Sequence, residues 1–328
     1  MASPMGVGLR PRASCCKVTA MFNKKEALAM LLVVGMVAAA EYFGVQEIIF
    51  PEIAALAFGA WVMEERPWPG PTWTIWFSPT LGALTGVVLL RLLPLSLVAL
   101  TGLAFVFVLL QLKLSRSAMS PSFSAAILPI ITGIHSWAYP AAVFLMTGAI
   151  ALMAPARTPD DPTEASCPSQ EQDEPPSLAW SCRHYGKLLF FILIVALFAT
   201  TWGGLFMIAP PLIVAFIELT HPGSALRQKS MPRLLLLFTG CAMAGAGCIA
   251  LVTGFFSGPM WLGAGLSLAG ALVIAKRLRL ASPPAMALAL LPTILPREVL
   301  LVYPLQILAG SALFMVFSHL WFKPETAD

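Results

Sequence analysis

The chain has 328 residues, 58% of them hydrophobic and only 11% charged, with a net charge of +4 and a mean hydropathy of +0.83. A soluble domain carries about 25% charged residues, and a single water-facing core cannot hide this much apolar surface, so a soluble globular protein is excluded. Runs such as 27–40 and 95–112 are continuous rather than alternating, which excludes a transmembrane β-barrel and predicts an all-α polytopic membrane helical bundle.

In chain order, residues 1–25 carry Arg10, Arg12, Lys17, Lys24 and Lys25 and no acid. They read as a basic tail, with a targeting-like leader or an upstream extension of a chain starting at Met21 as alternatives. Six hydrophobic segments follow within a first membrane repeat, 26–154, at about 27–45, 48–63, 73–90, 95–112, 121–134 and 138–154. Between 155 and 186 prolines alternate with Asp160, Asp161, Glu164, Glu171, Asp173 and Glu174, a composition that predicts a disordered acidic linker. A second repeat, 187–320, has segments at about 187–203, 205–220, 233–254, 259–275, 283–295 and 299–319, and 321–328 form a C-terminal tail.

The two halves resemble each other. Pro51, Ile53 and Ala55 stand opposite Pro211, Ile213 and Ala215, and Lys113 and Arg116 stand opposite Lys276 and Arg279. "SPSFSAAILP" from 120 matches "SPPAMALALLP" from 282, and "YPAAVFLMTGAIALM" from 139 matches "YPLQILAGSALFMVF" from 303. One slowly drifting offset across these landmarks reads as a tandem duplication.

If all twelve segments cross with the N-terminus inside, every Lys and Arg except Arg91 and Arg297 lies on the cytoplasmic side. Letting the second and fifth segments of each half merely dip into the membrane would move Lys113, Arg116, Arg227, Lys229, Arg233, Lys276, Arg277 and Arg279 outside. The positive-inside rule therefore favours twelve crossings, with both termini cytoplasmic and parallel repeats. The shortest segments reach about 20 Å of a roughly 30 Å hydrocarbon core, which marks them as half-helices completed by extended chain.

"SPPAMALALL" from 282, its more distant copy "SPSFSAAILP" from 120, and "FPEIAALAFGAWVMEERPWPG" from 50 resemble the repeat of the HPP family of integral membrane proteins. The resemblance covers most of both halves. It departs where the family's signature His is replaced by Ser120 and by Ser282, and where the second signature proline survives only as Pro284. It implies a transporter-like protein, some relatives of which are associated with passage of a small inorganic anion.

Ser120 and Ser282 each precede a proline, a pairing that reads as N-cap and first helical residue. A helix start in a membrane would offer free N–H groups and the positive dipole end to an anion. With Ser122 and the nearby bases Lys113, Arg116, Lys276 and Arg279, they form candidate substrate sites; the bland alternative makes them caps and topology anchors. Glu52 and Glu218 lie in short apolar runs, where a carboxylate is costly, and are candidates for proton coupling. Glu41 and Glu47 fit the outer interface, Gln111 and Gln306 fit inter-helix hydrogen bonds, and Trp61, Trp68, Trp73 and Trp76 fit an aromatic belt. Glycine-rich "GCAMAGAG" from 240 and "SPTLGALTG" from 78 read as close-packing surfaces.

No metal or cofactor is expected, since the four histidines are scattered and the six cysteines show no ligand spacing. Nucleic acid is excluded as a partner by the absence of a basic stripe with exposed aromatics. The partners expected are the bilayer, a small molecule or anion, and a second copy in a homo-oligomer, in a multi-pass protein of the bacterial inner membrane. The leading function is transport of a small solute, with a small inorganic anion as one candidate. The alternative is a non-transporting scaffold or sensor subunit that docks a partner through the acidic linker. An enzyme is disfavoured because no catalytic constellation is present.

Overall fold

The structure, a computed structural model, describes residues 23–64, 66–68, 70–154, 178–221, 224 and 226–322. The basic tail with the Met21 alternative, the acidic stretch 155–177 and the extreme C-terminus lie outside the described residues.

The described elements are helical, with no strand among them. The first half contains α1 (Lys24–Phe43), α2 (Glu52–Ala57, continued by a π turn Phe58–Val62), α3 (Trp73–Leu92), α4 (Leu97–Leu114), α5 (Pro121–Thr132) and α6 (Ala138–Met153). The second contains α7 (Leu178–Thr201), α8 (Pro210–Thr220), α9 (Met231–Ile249, continued by a π turn Ala250–Phe255), α10 (Met260–Leu278) and α11 (Pro283–Leu290, tightening to Leu291–Ile294). It ends with α12 (Arg297–Leu300) and α13 (Tyr303–Trp321). Seven helices, α1, α3, α4, α7, α9, α10 and α13, are long and apolar enough to cross a membrane. α7 opens at Leu178, before the apolar run that marks its start in the sequence, because helical backbone bonding continues through polar turns around Arg183 and His184.

Hydrogen bonds sort the helix ends onto two sides. On one side Lys276, at the end of α10, pairs with Glu26, at the start of α1, at 2.7 Å. On the other, Glu41 near the end of α1 accepts the N–H groups of Met260 and Trp261 at the start of α10. There too Arg91, closing α3, donates to the His135 carbonyl in the turn before α6 and lies over the Trp137 ring. α1 and α10 are therefore antiparallel neighbours drawn from opposite halves, and α4 with α7 form the corresponding pair.

The short helices α2, α5, α8 and α11 behave differently from the long ones. Roughly a third to under half of each long helix is buried, leaving the rest for lipid. The short ones are buried along almost their whole lengths, as expected of helices apolar on every face. They form the interior of the bundle, and they interlock, with α2 packed on α11 and α5 on α8.

Two crossings fix their depth. An added Cβ at Gly86 on α3 would stand 2.1 Å from the Ala126 carbonyl oxygen of α5, and one at Gly245 on α9 would stand 2.2 Å from that of Ala289 on α11. The glycine-rich stretches are thus close-packing surfaces, as their composition suggests. Tyr139 of α6 donates to the Ala125 carbonyl at 2.9 Å, and Tyr303 of α13 to the Leu288 carbonyl at 2.8 Å. Each phenol satisfies a carbonyl in the middle of a short helix that is buried against its neighbours.

Candidate functional site

Glu52 opens α2 behind Pro51, whose ring fixes the turn that starts the helix. Its side chain is 1% exposed. One carboxyl oxygen accepts the Ser124 hydroxyl from α5, and the other, Oε2, has no hydrogen-bond partner. Burying an acid with half its acceptor capacity unused is expensive, so the position is a functional candidate on energetic grounds.

The second acid, Glu218, ends α8 and reaches across to the other half. Its Oε1 accepts the Ser120 hydroxyl at 3.0 Å and the Trp68 indole N–H at 3.0 Å, and that N–H also lies 2.9 Å from Ser120 Oγ. The carboxyl therefore sits at the start of α5, held by a serine and a tryptophan. Trp68 is 5% exposed and Trp61, which donates to the Ile150 carbonyl at 3.2 Å, is 4% exposed. These two do not belong to an aromatic belt: the chain between α2 and α3 folds inward and uses their N–H groups inside the protein. Trp73 remains exposed.

At the start of α11 the corresponding space is open. A cavity of about 280 Å³ is lined by Phe58 and Val62 from α2, by Leu272, Lys276, Arg279 and Ser282 from the second half, and by Glu26. Ser282 is 3% exposed and its hydroxyl has no partner.

The serines do not cap. Neither Ser120 nor Ser282 makes a side-chain bond to its own helix. The backbone N–H groups expected to attract an anion are also taken or missing. Pro283 and Pro284 have none, Ala285 N–H bonds to the Ser282 carbonyl, and on α5 the Ser122 and Phe123 N–H groups bond to Met119 and Ser120. The donors available at both helix starts are hydroxyls rather than amides.

The other predicted residues divide. Ser122 is fully buried with an unpartnered hydroxyl, but it faces the packing of α5 and not the cavity at α11. Lys113 and Arg116 are exposed, and neither lies among the residues contacting Glu218. Gln111 donates to Thr85 and so joins α4 to α3 as expected of an inter-helix donor, whereas Gln306 on α13 accepts, from the Phe206 N–H in the turn before α8 at 2.8 Å. Glu41, read as an interfacial acid, is exposed near the end of α1 and also accepts the first N–H groups of α10. Trp68 as a partner of Glu218 carried no signal in the sequence, because the contact depends on how a ten-residue-scale loop folds back over two other elements.

These features define an integral membrane protein of the multi-helix class, with a buried acidic centre and a second acid bridging the two halves. No family profile matches the chain, no curated protein is similar to it, and no solved structure matches it.

Proposed function

We propose that the protein is a transporter of a small solute, a small inorganic anion among the candidates, built from two parallel repeats of six segments. The observation that carries the reading is Glu52: a carboxyl with an unpartnered oxygen, buried where short proline-opened helices from both halves meet. Short, interrupted segments at matching positions of two repeats are the usual pointer to a transporter's binding site. An ionisable residue kept at such depth is costly unless it works.

In this reading Glu52 exchanges a proton during the cycle, and Glu218 holds the two halves in one arrangement. Twelve crossings place both termini in the cytoplasm of a bacterial cell, with the bases of the α4–α5 and α10–α11 turns on that side. The likeness to the HPP family rests on the three short motifs alone.

Flux assays in proteoliposomes test the proposal. Wild-type protein is expected to move at least one member of a panel of small anions and metabolites. Glu52→Gln, which keeps the shape and an acceptor for Ser124, is expected to insert normally and lose coupling to a proton gradient. Absence of flux across the panel, or a Glu52→Gln variant with unchanged gradient dependence, would refute it.

A further inference from the structure

We propose that the cavity at the start of α11 binds a small organic carboxylate with an apolar body. The protein itself supplies the comparison. At the start of α5, Ser120 donates to a carboxylate, and that carboxylate is the chain's own Glu218. Glu218 stands seven residues after Pro211 on α8. Seven residues after Pro51 on α2 stands Phe58, which lines the cavity at the start of α11. The same crossing of short helices therefore ends in a filled site in one place and an open one in the other, with the acid replaced by an apolar ring.

The open site retains the elements that suit a carboxylate. The Ser282 hydroxyl is buried and unpartnered, and a buried hydroxyl without a partner is a standing cost that an acceptor would relieve. Two bases, Lys276 and Arg279, line the cavity against one acid, Glu26, and Lys276 is already bonded to that acid at 2.7 Å. Among the described lining residues the balance is one excess positive charge. Phe58, Val62 and Leu272 make the walls apolar. A bare inorganic anion would satisfy the hydroxyl and leave these walls facing empty space, whereas a carboxylate on a short hydrocarbon body fills both. At about 280 Å³ the volume lies just below the usual range for small-molecule pockets. Glu26 disfavours a second negative charge, so the ligand class is a monocarboxylate.

The test is binding, not flux, so its failure is separate from failure of the transport reading. Octanoate is titrated into the full chain in phosphatidylcholine nanodiscs, followed by saturation-transfer NMR, with empty nanodiscs as background and octan-1-ol as the uncharged probe. Octanoate is expected to bind and octanol to bind at least tenfold more weakly. Ser282→Ala should weaken octanoate by about tenfold. Phe58→Glu should remove binding by supplying the internal carboxylate that Glu218 supplies at Ser120. Equal binding of octanol, or unchanged octanoate affinity in Ser282→Ala, would overturn the proposal whatever the fate of Phe58→Glu. So would loss of octanoate binding in phosphatidylglycerol nanodiscs, which would assign the pocket to a lipid headgroup.

Discussion

Glu218 accepts the Ser120 hydroxyl at 3.0 Å, tying the last turn of one short helix to the residue that precedes another in the opposite half of the chain. Trp68 donates to the same oxygen, so the carboxylate serves two buried donors. Truncating it strands the Ser120 hydroxyl proton and leaves the Trp68 N–H only its bond to Ser120 Oγ. Glu218→Ala is expected to lower stability by about 2 kcal/mol, and Ser120→Ala, which leaves Trp68 bonded, by about half as much. Glu218→Gln keeps an acceptor oxygen and should fall between wild type and Glu218→Ala. Thermal unfolding midpoints of the purified variants, measured side by side, check the order. A Ser120→Ala protein less stable than Glu218→Ala would show that the serine matters for another reason.

The class of fold was legible from composition because lipid as solvent leaves a one-dimensional record: apolar runs, sparse charge and charge placement. Glycine spacing around 82–86 and 240–247 likewise announced close helix crossings, since little else permits backbone contact at that distance. The site was legible only in its parts. Ser120, Ser282, Glu52 and Glu218 stand out locally, but which of them meet depends on interlocking of α2 with α11 and α5 with α8. That is a relation between residues about a hundred positions apart, as Ser120 and Glu218 are. The burial of Trp68 is hidden for the same reason, because a tryptophan near a membrane edge and one folded beneath it have the same local sequence.

The glycine crossings give a second prediction. Gly86→Ala and Gly245→Ala would each push a methyl group into a backbone carbonyl oxygen, at 2.1 and 2.2 Å respectively. Backbone cannot step aside as a side chain can, so each should cost roughly 1–3 kcal/mol or more. Gly247, two residues further along α9, meets nothing within 4 Å, and Gly247→Ala should be neutral or slightly stabilising through helix propensity. Unfolding midpoints of the three variants decide it. A Gly245→Ala protein as stable as Gly247→Ala would mean that α9 and α11 are not packed this closely.

Arg116 and Arg279 give a third. Both are in the left-handed region, with φ of 48° and 52°, Arg116 two residues past the end of α4 and Arg279 one past the end of α10, where glycine is the favoured residue. The conformation costs a non-glycine residue about 1–2 kcal/mol. An arginine at this place in both halves suggests that the side chain is kept for a purpose unrelated to the turn. Arg279→Gly is therefore expected to match or exceed wild-type stability while losing octanoate affinity, and Arg279→Val, β-branched, to lose both. Comparing unfolding midpoints with binding for the pair separates charge from backbone. A marked loss of stability in Arg279→Gly would place the guanidinium in the structural framework instead.

The last prediction concerns the two sides of the bundle. Gln228 lies in the turn between α8 and α9, and it is exposed. Its neighbour Arg227 bonds to the carbonyl of Phe322, at the end of α13. α9 runs antiparallel to α10, since Gly263 at the start of α10 lies against Ile249 at the end of α9, while Gly240 in the first half of α9 lies against Ile274 toward the end of α10. The start of α9 therefore shares a side with the end of α10, where Lys276 pairs with Glu26. Ser257, in the turn between α9 and α10, is exposed on the opposite side. With the six native cysteines replaced by alanine, Gln228→Cys and Ser257→Cys should label from opposite faces of the membrane. In intact cells an impermeant maleimide should reach position 257 and not 228, as twelve crossings with an internal N-terminus require. Labelling of 228 from outside would reverse the assignment of sides. Labelling of both from the same face would break the alternation of α9 and α10, on which every statement about paired helix starts depends.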